Sequence, residues 1–536
     1  MATRYEFVDK HEKAGLYAAW FLLVVALFLN MGAYPLFLEE PRRALIALEM
    51  LLNKNLLVPT EFGEFYYKKP PVWNWMIIVG YKIFGFNETA VRFFGIVSYV
   101  LQGVMICWVG RKYVGTRFGH YSSLLFLTVV NGLFYMTGVP GEIDLFYSML
   151  TFGMFVSIFH FLQERQYLRL FVVTYLITAI GVLTKGMPSF AFTALTLMAV
   201  SIERKRFQLL FSWQHLAGIL VLTTVLVSYF LAYHQHNDIL KYFFTDESSL
   251  FAQSAEKSFL GSGIGTIVRH FFAFPFGIFF NLMPAMLLLI FFIGRKTVLF
   301  EALQNPLIRF FVLVFLVNIL IYWLSPGARS RYLYMLYPVP VMLATFAYLQ
   351  EGAGKWMKKS IRYTVMGLHV ALMIALVVVL SFGSVLELDL PNLQVTAVLC
   401  LLAIAGLLFL LIKRKGLVIV AMILLLVVLR IGYATTVQLQ RAESADMAQA
   451  KEDANQIAEI IGEHNIYLYK QVPISRQHIY YVELNTMSVV KYYKKNVSAD
   501  FLWASPGQIE ELSDYEIVHR YVYRKAPACI LKKKSK

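Results

Sequence analysis

Apolar runs of about 20 residues recur along most of the chain, separated by short polar or charged segments. Coiled as an α-helix, a run of that length crosses the hydrocarbon core of a bilayer. The pattern predicts spans near 15–37, 91–109, 119–137, 144–163, 168–183, 187–202, 214–233, 267–293, 307–324, 331–350, 363–384, 393–412 and 416–435. The segments 168–183 and 187–202 are shorter than ideal and need embedded flanks. After Arg430 the pattern changes. ADMAQAKEDANQIAEIIGE reads as a polar amphipathic helix, and IYLYK, HIYYVEL and YEIVHRYVYR read as short strands. The expected architecture is an all-α polytopic membrane protein of about 13 transmembrane helices with a small C-terminal α/β extramembrane domain. The membrane domain takes 1–440, with outer-face loop helices at 38–86, and the α/β domain takes 441–536. No internal repeat is visible, which weakens a transporter built from symmetric halves.

The polar stretch after the first run interrupts this pattern most sharply. From 38 to 71 it reads LEEPRRALIALEMLLNKNLLVPTEFGEFYYKKPP. Pro41 suits the first turn of a helix, because its fixed φ is helical and its missing N–H is no loss there. The helix that follows places Leu45, Leu48 and Leu51 on one face, so it is expected to lie along the membrane surface. KPPVWNWMIIVGYKIFG, apolar but short and carrying Lys82, reads as a second, partly embedded surface helix. Glu39 and Glu40 then sit where a span ends and a surface helix begins. They fit either a solvated loop whose acids complement a helix N-terminus or a functional site.

Composition supports the membrane reading: 58% of the 536 residues are hydrophobic and only 15% charged, which excludes a soluble protein of this length. The formal charge of +16 does not indicate nucleic acid, because the basic residues fall in short clusters between apolar runs. Alternate loops (GRKYVGTR, QERQYLR, ERKRFQ, GRK at 294–296, GKWMKKSIR, KRKG) are basic, and the intervening ones are poorer in Lys and Arg. The positive-inside rule therefore places the N-terminus in the cytoplasm, and the 38–71 loop and C-terminal domain outside. The N-terminal lead (Arg4, Lys10, Lys13) precedes an apolar segment without an A-x-A-like cleavage site and reads as a retained span. Cys107, Cys400 and Cys529 are too few and scattered for a disulfide framework. The closing KKKSK reads as a solvated tail.

Candidate chemistry gathers at the outer edge. Glu142 and Asp144 open a span, where an acid either caps the helix or lines a site. Lys185 ends another in LTKGMP, with Gly186 and Pro188 breaking the chain; it either snorkels or serves the site. SPGARSRYLYMLYP sets Arg329 and Arg331 beside tyrosines, which suits a phosphate or an aromatic belt. In HQHND, His234 and His236 form an H-x-H that is a weak metal signal.

The run E-E-P-R, then YYKKPPVWNW and FGFNETAVR about thirty residues on, resembles the membrane glycosyltransferases of the GT-C fold that use lipid-phosphate-linked sugars. The likeness is nearest to the bacterial aminoarabinose transferases that modify lipid A and more distant to protein O-mannosyltransferases. The family's acidic pair and following arginine correspond to Glu39, Glu40 and Arg42, and its K-P-P plus aromatic to Lys69, Pro70, Pro71 and Trp73. Its second acidic position falls on Asp144, its T-K-G turn on Thr184, Lys185 and Gly186, and its late basic loop on Arg329, Arg331, Tyr334 and Pro338. Two departures stand out. Glu39 replaces the family's usual Asp. Lys68 stands where the aminoarabinose enzymes carry a carboxylate implicated in metal binding, so no residue is assigned to a metal and a divalent ion is left open.

The resemblance implies an inverting glycosyltransferase of a bacterial inner membrane, active at its outer face. The donor is a polyprenyl (undecaprenyl) phosphate sugar, and the acceptor a lipid, glycan or protein. Glu39, Glu40 and Asp144 are the expected catalytic residues, with Glu39 as the base. Arg42, Lys68, Lys69, Lys185, Arg329 and Arg331 are the expected donor-phosphate ligands. The competing class is a flippase for a lipid-linked sugar, which needs charges along a path through the bilayer; here the acids lie almost entirely at one edge.

Overall fold

The computed structural model describes residues 10–238, 263–290, 296–350, 355–383, 390–443, 445–470, 472, 474–494, 497–523 and 526–534. Among them, ten helices are long and apolar enough to cross a membrane, so the chain is a multi-pass membrane protein. Those that frame the site are α1 (Lys10–Phe28), α4 (Glu88–Tyr113), α6 (Asp144–Gln163), α7 (Tyr167–Lys185) and α9 (Trp213–His234). Three expected spans are occupied by shorter helices: α5 (Thr116–Leu127), α8 (Pro188–Glu203) and, near 331–350, Pro338–Leu349. Two expectations fall largely outside the described residues, the 234–266 loop and the basic loop at 294–296. The end of the 267–293 span, the start of GKWMKKSIR and the end of the KKKSK tail lie there too.

The expected 119–137 span is broken. After α5 the chain makes a π-turn at Asn131–Tyr135 and a 3-10 turn at Met136–Gly138. Packing at the break is tight: a Cβ on Gly132 would lie 1.8 Å from the Tyr334 hydroxyl oxygen and 2.2 Å from that of Tyr99. The chain therefore passes beneath those two rings and delivers Glu142 and Asp144 to the helix ends.

The loop helices form as expected, but their setting differs. α2 (Glu40–Leu52) carries Pro41 in its first turn, and α3 (Val72–Phe84) follows KPP. However, α2 is buried on every side from Arg43 to Met50 and is not a helix with one apolar face on the membrane. It is sandwiched between α3 and a C-terminal helix (Arg476–Thr486). Asn87 caps α4, its side chain accepting from the Ala90 amide at 2.9 Å, and its own NH₂ donates to Phe84 O at 2.6 Å. That bond ties α3 to α4.

The C-terminal region carries a five-stranded sheet made of β1 (Ile466–Leu468), β2 (Lys491–Tyr492), β3 (Phe501–Ala504), β4 (Tyr515–Tyr523) and β5 (Ala526–Lys533). Their order across the sheet is β2-β1-β3-β5-β4. β1 pairs in parallel with both β2 and β3, and the β3–β5–β4 ladder is antiparallel. IYLYK and YEIVHRYVYR are strands as expected, and the amphipathic segment is the helix Ala445–Ile461. HIYYVEL is not a strand but lies in the helix Arg476–Thr486. Ser475 caps that helix, and residues 478–483 are buried, so tertiary burial on more than one side outweighs aromatic and β-branched propensity. The same helix joins the region to the loop helices. The Tyr81 hydroxyl donates to Ala44 O at 3.2 Å and lies 3.2 Å from the Tyr480 hydroxyl, while Tyr481 donates to Glu88 at 2.8 Å.

Candidate active site

The acidic pair of the first loop is split by the structure. Glu40 is wholly buried, and Arg92, five residues into α4, holds it. Arg92 Nη2 lies 2.7 Å from Glu40 Oε2, and Nε lies 3.0 Å from Oε1. Glu40 also accepts from the Phe37 amide (3.1 Å) and the Gly141 amide (2.9 Å). Arg92 in turn donates to the carbonyls of Met31, Tyr34 and Pro35 and stacks 3.9 Å from the Tyr34 ring. With both its oxygens engaged and no exposed surface, Glu40 has no route to a substrate. It ties the first loop, the second loop and α4 together.

Glu39 is different. It occupies the N-cap position of α2 and makes no capping hydrogen bond, so it meets that helix end through charge alone. Its side chain is 39% exposed, and Oε2 accepts from Arg42 Nη1 at 2.6 Å. Arg42 Nε lies 3.4 Å from Glu61 Oε1, and Glu61 also pairs with Arg476 of the C-terminal region. Arg42 is thus shared between two carboxylates, with its buried Nε making no hydrogen bond.

The second cluster joins three elements. Asp144, the first residue of α6, accepts from Lys185 Nζ at the end of α7. Gly186, at φ +88°, ends α7 there. Arg331 sits in a 3-10 turn (Ser330–Leu333), pairs with Glu142 through Nη1 and places Nε 3.3 Å from Asp144 Oδ2. The Lys185 ammonium lies 4.4 Å from the centroid of Tyr332 and 5.0 Å from that of Tyr147. Asp144 is therefore a carboxylate flanked by two cations, not a helix cap. Glu142 is buried with Oε1 unpartnered, and burial, reinforced by neighbouring Asp144, raises its pKa to about 7 despite Arg331.

The two clusters are one site. Glu142 feels the charges of Glu39 and Glu40, and Asp144 feels that of Lys69. Gly141 is the close contact between them: a Cβ there would stand 3.0 Å from Glu40 Oε1 and 2.9 Å from Val91 Cγ1. Trp73, after KPP, donates its indole N–H to Gly141 O at 3.0 Å. The K-P-P-x-W stretch is thereby anchored on the second acidic loop, with Lys68 exposed and Lys69 half-buried. Arg329 is also exposed, and among the described residues neither it nor Lys68 enters an ion pair.

The donor set does not fit a metal ion. Among the described residues no three His, Cys, Asp or Glu side chains gather as ligands. The turn bearing His234 and His236 lies beside the loop, Asn237 donating to the Tyr67 hydroxyl at 3.0 Å, but the next residue is Lys68, whose ammonium is no ligand.

Sequence reasoning missed the role of Arg92 and left Glu142 without one. An arginine just inside the expected 91–109 span was the available signal for the first; for the second there was only its place two residues before Asp144.

Comparison with known proteins bears out the resemblance. Residues 68–230 match the family described as dolichyl-phosphate-mannose-protein mannosyltransferase. The chain is similar to the undecaprenyl phosphate-alpha-4-amino-4-deoxy-L-arabinose arabinosyl transferase of Edwardsiella ictaluri, 29% identical over 243 residues, 42% of each chain. The enzyme of the same name from Pseudomonas savastanoi pv. phaseolicola is 27% identical over 247 residues, 45% of each chain. These matches span less than half the length of those relatives. The fold is that of ArnT from Cupriavidus metallidurans bound to undecaprenyl phosphate, with a TM-score of 0.68 over 98% of both chains at 17% identity.

Proposed function

We propose that this protein is an inverting glycosyltransferase. It moves a sugar from a polyprenyl phosphate, undecaprenyl phosphate in a bacterial inner membrane, to a lipid, glycan or protein acceptor at the outer face. The observation that carries the reading is the convergence of Glu39, Glu142 and Asp144 with Lys69, Lys185 and Arg331 at the ends of membrane helices. The names of the relatives agree with it. Loop charge places the N-terminus in the cytoplasm and the C-terminal α/β region in the periplasm.

Glu39 is the acceptor-side group: it deprotonates an acceptor hydroxyl, or orients the acceptor if that is already an anion. Attack at the anomeric carbon breaks the bond to the lipid phosphate, so negative charge grows on the phosphate oxygen. Lys68, Lys69 and Arg329 are the cations that meet it, backed by Arg331. Lys185 holds Asp144, and Asp144 holds Arg331, so this pair acts as a rigid frame more than as a base. The prenyl tail stays among the spans, where it needs no desolvation.

Glu142 tunes this frame. With Glu142 protonated, Asp144, Lys185 and Arg331 sum to +1; ionisation of Glu142 brings the cluster to zero. Because its pKa is raised to about 7, that change falls near neutrality. Donor KM is expected to rise between about pH 6 and pH 8, and Glu142→Gln is expected to flatten the profile. An unaltered pH profile in Glu142→Gln removes Glu142 from donor binding.

The reading is tested with purified protein in detergent, given undecaprenyl phosphate sugars and candidate acceptors. Release of undecaprenyl phosphate coupled to a glycosylated acceptor is the expected result. Mass spectrometry of lipid A, surface glycans and glycoproteins from cells with and without the protein identifies the acceptor; loss of no glycan in any class contradicts the reading.

A further inference from the structure

Arg430 stands apart from the machinery above. It lies in the membrane helix Val418–Thr435 and is only 1% exposed, yet neither Nε nor Nη1 has a hydrogen-bond partner. Among the described residues no carboxylate pairs with it; the ionisable groups around it are Tyr34, Tyr433 and Arg441. Its guanidinium sits 5.3 Å from the centroid of Tyr433, and that of Arg441 sits 5.8 Å from the same centroid. One aromatic ring therefore holds two guanidinium groups.

An ionised group inside a membrane protein is retained at a cost and marks a site by default. A buried charge stripped of its partner is strongly destabilising, so an arginine kept without one implies that a partner comes from elsewhere. The planar fork matches phosphate oxygens two at a time, and stacking on tyrosine pre-organises it.

Location points the same way. Phe134 packs edge-on to Tyr433 at 5.5 Å. A Cβ on Gly138 would stand 3.8 Å from Arg441 Nη1 and 3.9 Å from the Tyr433 hydroxyl, with nothing nearer. The turn at Met136–Gly138 thus borders the arginine pair and runs on within six residues to Asp144. Tyr34, whose ring stacks on Arg92, donates its hydroxyl to Gly138 O at 2.8 Å on that same turn.

We propose that Arg430, with Arg441 and Tyr433, forms a second anion site that takes the phosphate of a lipid headgroup, distinct from the cations that meet the donor phosphate. Two lipids carry this chemistry: a phosphorylated glycolipid acceptor such as lipid A, and an anionic phospholipid of the bilayer. Only the choice between them rests on the proposed function; the binding itself does not.

The test uses the full chain in phosphatidylcholine nanodiscs, titrated separately with lipid A, phosphatidylglycerol and undecaprenyl phosphate. Arg430→Met is expected to weaken binding of lipid A, phosphatidylglycerol or both by about tenfold or more, the factor one charge-assisted hydrogen bond supplies. Arg430→Lys is expected to recover part of it, and affinity for undecaprenyl phosphate to change less than about twofold. A loss confined to lipid A names the acceptor; a loss shared with phosphatidylglycerol names a bilayer lipid. In buffer free of phosphate and anionic lipid, Arg430→Met is expected to melt no lower than wild type, since it removes an unpaired charge. Arg441→Gln, at a half-buried position, gives a second reading of the same loss. Unchanged affinity for both headgroups, or equal weakening for undecaprenyl phosphate, overturns the assignment.

Discussion

Glu39→Gln is expected to lower turnover by about 10²–10⁴, the usual cost of losing a general base. Glutamine keeps the size of the side chain and its contact with Arg42 but cannot accept a proton. The geometry favours this carboxylate over its neighbours. Glu40 is sealed behind Arg92, and Asp144 is held by Lys185 and Arg331. Glu39 alone of the three is substantially exposed, and its Oε1 makes no hydrogen bond among the described residues. Donor affinity is expected to change little, because a carboxylate does not attract the donor phosphate. The measurement is single-turnover release of undecaprenyl phosphate beside donor binding. Near-normal turnover in Glu39→Gln would remove Glu39 from the mechanism and turn attention to Asp144. A rate loss accompanied by an equal loss of donor affinity would mean that Glu39 acts through Arg42 on binding.

The second large effect is on folding. Arg92→Met is expected to destabilise the protein by about 3–5 kcal/mol, because it strands the buried carboxylate of Glu40. It also frees the carbonyls of Met31, Tyr34 and Pro35, which Arg92 now caps. Glu40→Leu is expected to cost a similar amount by stranding Arg92. The double variant Glu40→Leu/Arg92→Met is expected to melt above either single variant, since neither charge is then left alone. Thermal unfolding in detergent reads all three. Additive losses in the double variant would show that the pair is not coupled and that each side chain acts through packing alone. A Glu40→Gln variant that folds normally but loses turnover would return Glu40 to the chemistry.

Much of the architecture was legible along the chain because it depends on local quantities. Bilayer thickness fixes the length of an apolar run, so spans such as 144–163 and 393–412 lie where the pattern put them. The Gly186 turn, the Pro41 start of α2 and the KPP entry to α3 are likewise written in a few adjacent residues. Chemistry could also be located at one edge, because charge is costly anywhere deeper in the membrane. The resemblance in the first loop extended this to a donor class.

Tertiary structure decided which of those charges face a substrate. Glu39 and Glu40 are neighbours in sequence and look equivalent, yet Arg92, 52 residues away, withdraws one of them into the interior. Lys185 meets Asp144 across 41 residues, and Arg331 meets Glu142 across 189. The same holds for HIYYVEL, whose strand-like composition yields to burial against α2, and for the expected 119–137 span, which breaks where Gly132 passes under Tyr99 and Tyr334. Local sequence determines where an apolar segment stops and a charged one starts, because hydration and backbone preference act over a few residues. It does not determine which distant ion neutralises a buried one. That choice is made only when helices pack and water is excluded, and here it separates the exposed acid from the anchored ones.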